Sequence, residues 1–302
     1  MNAFMFIASD IKFEIIVCLN ILKMDLVISD IHADILALTS ILDLVSSKDF
    51  EKKYGQFSRI INLGDILERG TNPKQVLQKL MELSKNYSIV SVMGNHDEAF
   101  LYNRKVSGNS WESIAAHDSL VEKDLEFFKK NKDDTFGDQD FVEKKSGIIC
   151  VHGGPLDPKK ITPKNATQDA WFYQKSWQRL SDEGEYLSPY GYFYSSLSAF
   201  LETKNMVDNP IILSGHEHIE VAIKQDKDGI QDFLSNKKPK TEKISNFTVT
   251  KKEIPIESDS SYLIKIGLGG PEGYYGTGEA QPHFGIIQDD SKKVILFGIK
   301  SL

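Results

Sequence analysis

Five short apolar runs, each ended by a compact polar block, constrain the fold of this chain more than any other feature. The runs are rich in Val, Ile and Leu and cover Asp25–Ser29, Arg59–Leu63, Tyr87–Met93, Gly147–Val151 and Pro210–Ser214. Continuous apolar runs of this length are typical of strands that are buried on both faces. We therefore expect a layered fold with these strands inside it.

Helix-period segments separate the first of these strands. Ile35–Val45 has apolar residues at positions 35, 38, 41, 42 and 45, and Pro73–Leu83 begins with a proline suited to a first helical turn. This alternation of strand and helix predicts an α/β layer fold. In such folds the chemistry lies at the carboxyl ends of the strands, so we expect the five polar blocks to emerge at one edge of a sheet.

The polar blocks have the composition of a metal site. In chain order they are Asp30-Ile31-His32, Gly64-Asp65 with Glu68-Arg69-Gly70, Gly94-Asn95-His96-Asp97, Val151-His152-Gly153-Gly154 and Gly215-His216-Glu217-His218. Their carboxylate, amide and imidazole donors suit Mn, Fe, Zn, Co or Ni rather than a thiolate-bound structural zinc. Asp30 and His32 are two residues apart, so they share one side of an extended segment and can bind one ion together.

These blocks resemble those of the calcineurin-like metallophosphoesterase superfamily. Gly-Asp-x-x-x-Arg-Gly, ending at Gly70, and His152-Gly153-Gly154 are similar to motifs of its protein Ser/Thr phosphatase branch. The resemblance spans about residues 25–288, and Gly267–Pro271 is similar to a Gly-rich turn that many smaller members place after their last His block. It implies a four-layer α-β-β-α sandwich of two mixed sheets flanked by helices, with cap-like insertions.

The resemblance also implies a binuclear centre for two divalent ions, with manganese favoured. The implied ligands are Asp30, His32 and His218 for one ion, Asn95, His152 and His216 for the other, and Asp65 as the bridge between them. A hydroxide held between the two ions would attack the phosphoryl group.

Further side chains have implied roles around the ions. His96 would donate a proton to the leaving oxygen, Arg69 would bind phosphoryl oxygens with its planar guanidinium, and Asn95 would also contact the substrate. The branch usually carries Asp where this chain has Glu68, and Glu where it has Asp97. Both positions keep a carboxylate but differ from the branch in side-chain length. Glu68 and Asp97 are therefore catalytic candidates that would support His96.

A second phosphate-binding arginine has to come from outside the blocks. The eukaryotic phosphatases place an arginine just before Gly-Asn-His, where this chain has Met93. Arg179 is our candidate for this role. We interpret Arg59 and Arg104 as surface residues.

Two segments are predicted as insertions into a single domain over residues 24–302. Residues 155–209 are rich in aromatic side chains, and we interpret them as a second small core, with a cap beside the site as the alternative. Residues 224–260 are rich in Lys, Asp, Ser and Asn and predict a solvated hairpin or loop. His117 and His283 lie outside the blocks and are interpreted as structural.

The N-terminal residues form a possible extension. Residues 1–22 are rich in Phe, Ile and Leu, but Asp10, Lys12 and Glu14 interrupt them, so we expect no signal peptide. Because Met24 directly precedes the first strand, we hypothesise that translation starts there and that residues 1–23 lie upstream. No window approaches the roughly 20 apolar residues that a membrane span requires.

Charge and cysteine content narrow the partners and the compartment. The chain has 36 Lys+Arg and 43 Asp+Glu, a net charge of −7, which disfavours stable binding to nucleic acid. Its two cysteines, Cys18 and Cys150, cannot form a disulfide framework, so we expect a reducing, cytoplasmic setting. A Cys-based phosphatase needs Arg six positions after its cysteine, where this chain has Met24 and Leu156.

The sequence thus predicts a metal-dependent phosphoesterase that acts on phosphomonoesters, either phosphoprotein or a small phosphoester. Arg69 favours monoesters, because a terminal phosphate offers more oxygens to a guanidinium than a diester does. Hydrolysis of nucleotides, dinucleoside polyphosphates or phosphodiesters is the alternative. A non-enzymatic protein-binding scaffold is a third reading, against which the complete ligand set counts.

Overall fold

The computed structural model describes residues 23–104, 106, 108–129, 137–167, 169–274, 281–288 and 292–300. In chain order, the helices are α1 (Ile35–Val45), α2 (Lys48–Tyr54), α3 (Pro73–Leu83), α4 (Asn95–Leu101), α5 (Trp111–Asp118), α6 (Pro158–Ile161) and α7 (Ser196–Thr203). Short 3-10 helices cover Glu122–Phe128, Ala170–Tyr173 and Lys175–Trp177. None of the helices in these ranges combines the length and the apolar character that crossing a membrane needs. The extension predicted over residues 1–23 lies, apart from Lys23, outside the described residues.

Seven strands form the first sheet. In order across it they are β12 (Lys240–Ile244), β13 (Phe247–Pro255), β16 (Lys293–Ile299), β15 (His283–Gln288), β1 (Lys23–Ile28), β2 (Gln56–Asn62) and β3 (Ser88–Ser91). The strands β1, β2 and β3 are parallel neighbours. The first three polar blocks follow them and therefore share one edge of this sheet.

Six strands form the second sheet. In order across it they are β11 (Gly229–Asp232), β10 (Glu220–Asp226), β14 (Ser261–Ile266), β9 (Ile211–Ser214), β5 (Ile148–Val151) and β4 (Asp140–Glu143). The fourth and fifth polar blocks follow β5 and β9, which are parallel neighbours. The expectation of a single sheet edge was therefore wrong: the blocks come from two sheets, which packing brings together.

A shared core joins the two sheets. Val27 and Ile61 of the first sheet are buried with Ile148, Ile211 and Ile264 of the second. Successive side chains of a strand point to opposite faces, so the neighbours of these residues fill two outer cores. This alternation explains why the strands read as continuous apolar runs.

Helices cover both outer faces. On the first sheet, Leu38 of α1 and Leu77 of α3 are buried with Ile60 of β2. On the second sheet, Phe200 of α7 is buried with Ile149 of β5. The four layers confirm the predicted α-β-β-α architecture, and α1 and α3 cover the residues predicted for them.

The two predicted insertions are built into these layers. Residues 155–209 contain a small sheet in the order β6 (Arg179–Leu180), β8 (Gly191–Tyr194) and β7 (Tyr186–Ser188), and they contain α7. Residues 224–260 form two hairpins rather than one solvated excursion. The β10–β11 hairpin pairs with β14, and the β12–β13 hairpin pairs with β16, so each extends one sheet.

Arg59 is not the surface residue that the sequence suggested. Its side chain in β2 is 18% exposed and forms ion pairs with Asp25 of β1 and with Glu143 of β4, the latter at 2.7 Å between Nη1 and Oε1. Because β1 and β4 belong to different sheets, Arg59 links the two. Arg104, whose side chain is 39% exposed, does lie at the surface, and it pairs with Glu98 at 3.1 Å.

Candidate metal centre

The polar blocks form tight turns at the ends of the strands. Seven predicted site residues have a positive backbone φ, between 48° and 70°: Asp30, His32, Asp65, Glu68, Arg69, His216 and His218. This left-handed conformation costs a non-glycine residue about 1–3 kcal/mol and persists where the surroundings impose it. Here the turns hold one another, since the N–H groups of Asp30 and His32 donate to the carbonyls of Gly64 and Asp65, both at 2.9 Å.

The first donor cluster consists of Asp30, His32 and His218, whose ligand atoms lie within 4.8 Å of one another. His32 Nε2 is 3.2 Å from His218 Nε2, which is 3.3 Å from Asp30 Oδ1. His32 Nδ1 donates to the carbonyl of Leu67 at 3.2 Å, so its Nε2 faces the cluster. Asp30 and His32 are fully buried, whereas the His218 side chain is 24% exposed.

The second cluster consists of Asp65, His152 and His216, again within 4.8 Å. His152 Nε2 lies 3.2 Å from Asp65 Oδ2 and 3.1 Å from Asn95 Oδ1, which places the predicted asparagine ligand here. Asp65 Oδ2 is also 3.8 Å from His32 Nε2 of the first cluster. The Asp65 carboxylate therefore lies between the two clusters, as its predicted bridging role requires.

The donor set fits two cations. Asp65 Oδ2 and His216 Nε2 are buried and have no hydrogen-bond partner among the described residues, although Asp65 Oδ2 is close to His152. Burying a polar atom without a partner is unfavourable unless a ligand satisfies it. Carboxylate oxygen, amide oxygen and imidazole nitrogen are donors that Mn and similar divalent ions accept.

Electrostatics prepare most of these side chains for ligation. Burial by itself would raise the pKa of Asp65, but His152, His96 and His32 hold that pKa well below its usual range. Burial lowers the pKa of His32 and of His216 well below the usual value, so both rings are neutral and can offer a nitrogen. Although burial opposes it, Asp65 raises the pKa of His152 to about 9, so a cation must displace that proton.

His96 and Glu68 form a buried pair beside the first cluster. His96 Nδ1 is 2.6 Å from Glu68 Oε2, and the His96 ring centre is 5.0 Å from that of His32. The backbone N–H of His96 donates to Asp65 Oδ1 at 2.8 Å. Because Glu68 engages Nδ1, Nε2 is the nitrogen that can serve a leaving group.

Asp97 holds the turns rather than the ring of its neighbour. Its Oδ1 accepts from the N–H groups of Ile66 and Leu67, both at 2.9 Å, and its Oδ2 accepts from that of Gly94 at 3.2 Å. Burial raises the pKa of Asp97 to about 7. These contacts indicate that Asp97 holds the second and third polar blocks together, and its predicted catalytic role stays a prediction.

Two arginines lie near the clusters. Arg69 Cζ is 5.4 Å from the centre of the Tyr274 ring, and Arg69 Nε is buried without a partner among the described residues. Arg179 Nε donates to the carbonyl of Tyr190 at 2.7 Å. Burial lowers the pKa of Arg179, and the charges of Glu217, Asp65 and Asp30 oppose that shift.

The model of the calcineurin-like phosphoesterase family matches residues 26–220 of the chain, which include all five polar blocks. The chain belongs to this family. The predicted family is thereby confirmed for this chain. Its two donor clusters are the candidate positions for the divalent ions.

Solved structures show the same fold. A metallophosphoesterase from Sphaerobacter thermophilus is 19% identical with a TM-score of 0.57, over 92% of this chain and 89% of that one. A protein serine/threonine phosphatase from Saccharomyces cerevisiae with similarity to human phosphatase PP5 is 13% identical with a TM-score of 0.50, over 93% and 80% of the two chains. In sequence, the chain is 36% identical over 75 residues to the uncharacterized protein MJ0912 of Methanocaldococcus jannaschii. That match covers 25% of this chain and 26% of the relative, so it spans only a quarter of either protein.

Tyr274 is a site residue of this phosphoesterase that sequence reasoning missed. Its hydroxyl is 3.4 Å from His32 Nε2, and its ring centre is 4.8 Å from that of His218. The Gly-rich turn before it packs against the first block so closely that a Cβ at Gly270 would lie 1.8 Å from the carbonyl oxygen of Ile31. These glycines were the available signal, because they mark a close approach to the site.

The aromatic side chains of residues 155–209 pack mainly against one another beside the centre. Trp171 stacks on Phe172 at 4.0 Å and meets Trp177 edge-on at 4.3 Å, and the Trp177 ring centre is 6.4 Å from that of His216. Ser176 Oγ donates to the Glu98 carboxylate of α4 at 2.6 Å. The segment is thus a small core, and it lies next to the second donor cluster.

Three further residues of the phosphoesterase lie outside both clusters. His283 Nδ1 is 2.8 Å from Glu220 Oε1, a contact between β15 and β10, and His117 is buried in α5. Cys150 is free and buried, and burial raises the pKa of its thiol far above the usual value. A thiol in this state is no nucleophile.

Proposed function

We propose that this calcineurin-like phosphoesterase hydrolyses phosphomonoesters, and that phosphorylated Ser or Thr in proteins is its substrate class. The observation that carries the proposal is the combination of two donor clusters across Asp65 with Arg69 beside the Tyr274 ring, which contacts the first cluster. A terminal phosphate has more free oxygens than a diester, so it can use the guanidinium in addition to the cations. The resemblance of the blocks to the Ser/Thr phosphatase branch supports the same substrate class.

Two divalent cations, for which we propose manganese, would supply positive charge for the phosphoryl oxygens and would make a water molecule more acidic. The residues that would hold them are Asp30, His32 and His218 for one, Asn95, His152 and His216 for the other, and Asp65 for both. Manganese is supported by the oxygen and imidazole donors. A cytoplasmic setting is supported by the free thiol of Cys150.

The remaining side chains would handle the phosphoryl group and the proton. Arg69 and Arg179 would bind phosphoryl oxygens and orient the group for in-line displacement. His96 would give a proton from Nε2 to the leaving oxygen. Glu68 would accept the Nδ1 hydrogen bond, which holds the ring with Nε2 free for the leaving oxygen.

A substrate panel tests the proposal. Manganese-loaded protein would be assayed with phosphoserine and phosphothreonine peptides, p-nitrophenyl phosphate, bis(p-nitrophenyl) phosphate, a mononucleotide and a dinucleoside polyphosphate. We expect kcat/KM for the phosphopeptides to exceed that for the diester by about 100-fold or more. A higher kcat/KM for the diester or the dinucleoside polyphosphate would overturn the proposal in favour of that chemistry. No turnover of any substrate would favour the scaffold reading.

A further inference from the structure

Glu68 and Arg69 are consecutive residues whose backbone N–H groups both donate to one external segment. Glu68 N donates to His117 Nε2 at 2.7 Å, and Arg69 N donates to Asn109 Oδ1 at 2.8 Å. Both residues have a positive φ, 67° and 69°, so their turn depends on contacts from outside it. His117 and Asn109 therefore support the two side chains that would handle the proton and the phosphate.

The two acceptors lie at opposite ends of α5. Asn109 directly precedes Ser110, whose hydroxyl caps the helix by accepting from Ser113 N at 3.1 Å. His117 lies in the last turn, and its Nδ1 donates to the carbonyl of Ser113 at 2.7 Å. This hydrogen bond fixes the tautomer in which Nε2 accepts. The helix and the residue before its cap thus present two acceptors to two consecutive residues.

Gly108 shapes the space of the Arg69 guanidinium. Its φ is 97°, and a Cβ there would lie 1.5 Å from Arg69 Nη1 and 2.6 Å from Cζ. Any side chain at position 108 would therefore displace the guanidinium. The Tyr274 ring, with its centre 5.4 Å from Cζ, is a second neighbour of this group.

We propose that α5 and the residues before it position two parts of the site separately. The first arm consists of Glu68 and His96, and the second arm is Arg69. His117 would be a positioning residue for Glu68, and through it for His96, whereas Gly108 and Asn109 would position Arg69. The proposal rests on the proposed phosphomonoesterase function. It predicts that variants at the two ends of one helix alter different kinetic constants, which a merely structural role of the helix would not produce.

The first arm is tested by His117→Leu and His117→Gln in manganese-loaded enzyme, with phenyl phosphate and p-nitrophenyl phosphate as esters with a poor and a good leaving group. Leu removes the acceptor of the Glu68 N–H, so we expect kcat to fall about 10- to 100-fold for phenyl phosphate and at most about threefold for p-nitrophenyl phosphate. Gln keeps an acceptor and should restore most of the rate. His283→Gln is the matched control and should match wild type.

The second arm is tested by Gly108→Ala and Asn109→Ala. We expect the inhibition constant of inorganic phosphate and the KM of both esters to rise about tenfold, while the ratio of the two esters' kcat values stays as in wild type. The reason is that Gly108→Ala displaces the guanidinium, whereas Asn109→Ala removes the acceptor of the Arg69 backbone N–H. Calorimetric titration of manganese-loaded protein with inorganic phosphate gives the same comparison without turnover. Metal content and thermal midpoint are measured for every variant.

The results separate the two proposals. Equal losses with both esters in His117→Leu, or an unchanged phosphate affinity in Gly108→Ala, would overturn the positioning roles. If His117→Leu does not fold, His117→Ala, which also lacks the acceptor, takes its place in the same comparison of the two esters. A wild-type enzyme that turns over neither ester would overturn the proposed function, and the calorimetric titration would still test the arm that positions Arg69.

Discussion

One methylene separates Glu68 from the aspartate that the Ser/Thr phosphatase branch usually carries, and the contact with His96 is still made at 2.6 Å. The backbone of Glu68 has a φ of 67°, and its N–H donates to His117 Nε2. At Asp97 the changed arm length has another outcome, since that carboxylate accepts from backbone N–H groups of two turns. The residue types alone did not reveal that Glu68 contacts the His96 ring whereas Asp97 contacts backbone N–H groups.

Asp65→Asn tests the bridge between the clusters. The amide has no negative charge and offers a single oxygen, so we expect both metal sites to weaken and turnover to fall by about 1,000-fold or more. Metal per chain after gel filtration and kcat for p-nitrophenyl phosphate are the measurements. Asp43→Asn, on the exposed face of α1, is the control. Two retained ions together with wild-type turnover would refute the bridging role.

His96→Ala tests proton donation. Because His96 is proposed to protonate the leaving oxygen, we expect its loss to slow phenyl phosphate by about 100- to 10,000-fold and p-nitrophenyl phosphate much less. Metal content should remain as in wild type. The outcome that counts against proton donation is an equal loss with both esters.

At the scale of elements, the periodicity of the sequence predicted the helices well, but the sequence did not predict the burial of every side chain. The helices α1 and α3 cover the predicted residues, since their patterns are complete within a few turns of chain. Arg59 shows the limit. Its position in β2 follows from the sequence, but its partner Glu143 lies in a strand of the other sheet.

The Arg59–Glu143 contact predicts a pH-dependent contribution to stability. The hydrogen bond from Arg59 lowers the pKa of Glu143 in the folded state, so the contact stabilises the fold above the unfolded-state pKa and is lost as the pH falls through the folded pKa. We expect Glu143→Gln to lower the free energy of unfolding by about 1 kcal/mol at neutral pH. The difference from wild type should shrink in acid, as the pH falls through the folded-state pKa of Glu143 and its side chain becomes uncharged like that of Gln.

Urea unfolding of metal-free protein at neutral pH and in acid measures this difference. Glu82→Gln is the matched control, because Glu82 is 68% exposed and its nearest lysine is 3.9 Å away. A difference between Glu143→Gln and wild type that is the same at both pH values would show that the charge of Glu143 is not its cause.

At the scale of the whole molecule, the centre gathers unfavourable features that bound cations would relieve. Seven predicted site residues have a left-handed backbone. Two buried candidate ligand atoms, Asp65 Oδ2 and His216 Nε2, have no hydrogen-bond partner among the described residues. Ligands that bind only the folded state stabilise it by mass action. We therefore expect chelation to lower the Tm of the manganese-loaded protein by about 5 °C or more.

Differential scanning calorimetry with and without a chelator measures this shift. In Asp65→Asn the shift should be much smaller, because that variant binds the cations weakly even before chelation. An identical Tm with and without chelator in the wild-type protein would show that the cations do not contribute to the fold.

The sequence by itself determined the strand ends, the donor types and the family, because each polar block lies within a few residues of its own strand and its chemistry is local. Only the tertiary structure decided which blocks meet. The first three blocks end strands of one sheet and the last two end strands of the other, and their approach depends on the core between the sheets. For the same reason the contacts of Asp97, Arg59 and His117 became visible only in the fold, since their partners are distant in the chain. The periodicity of one segment does not record such partners.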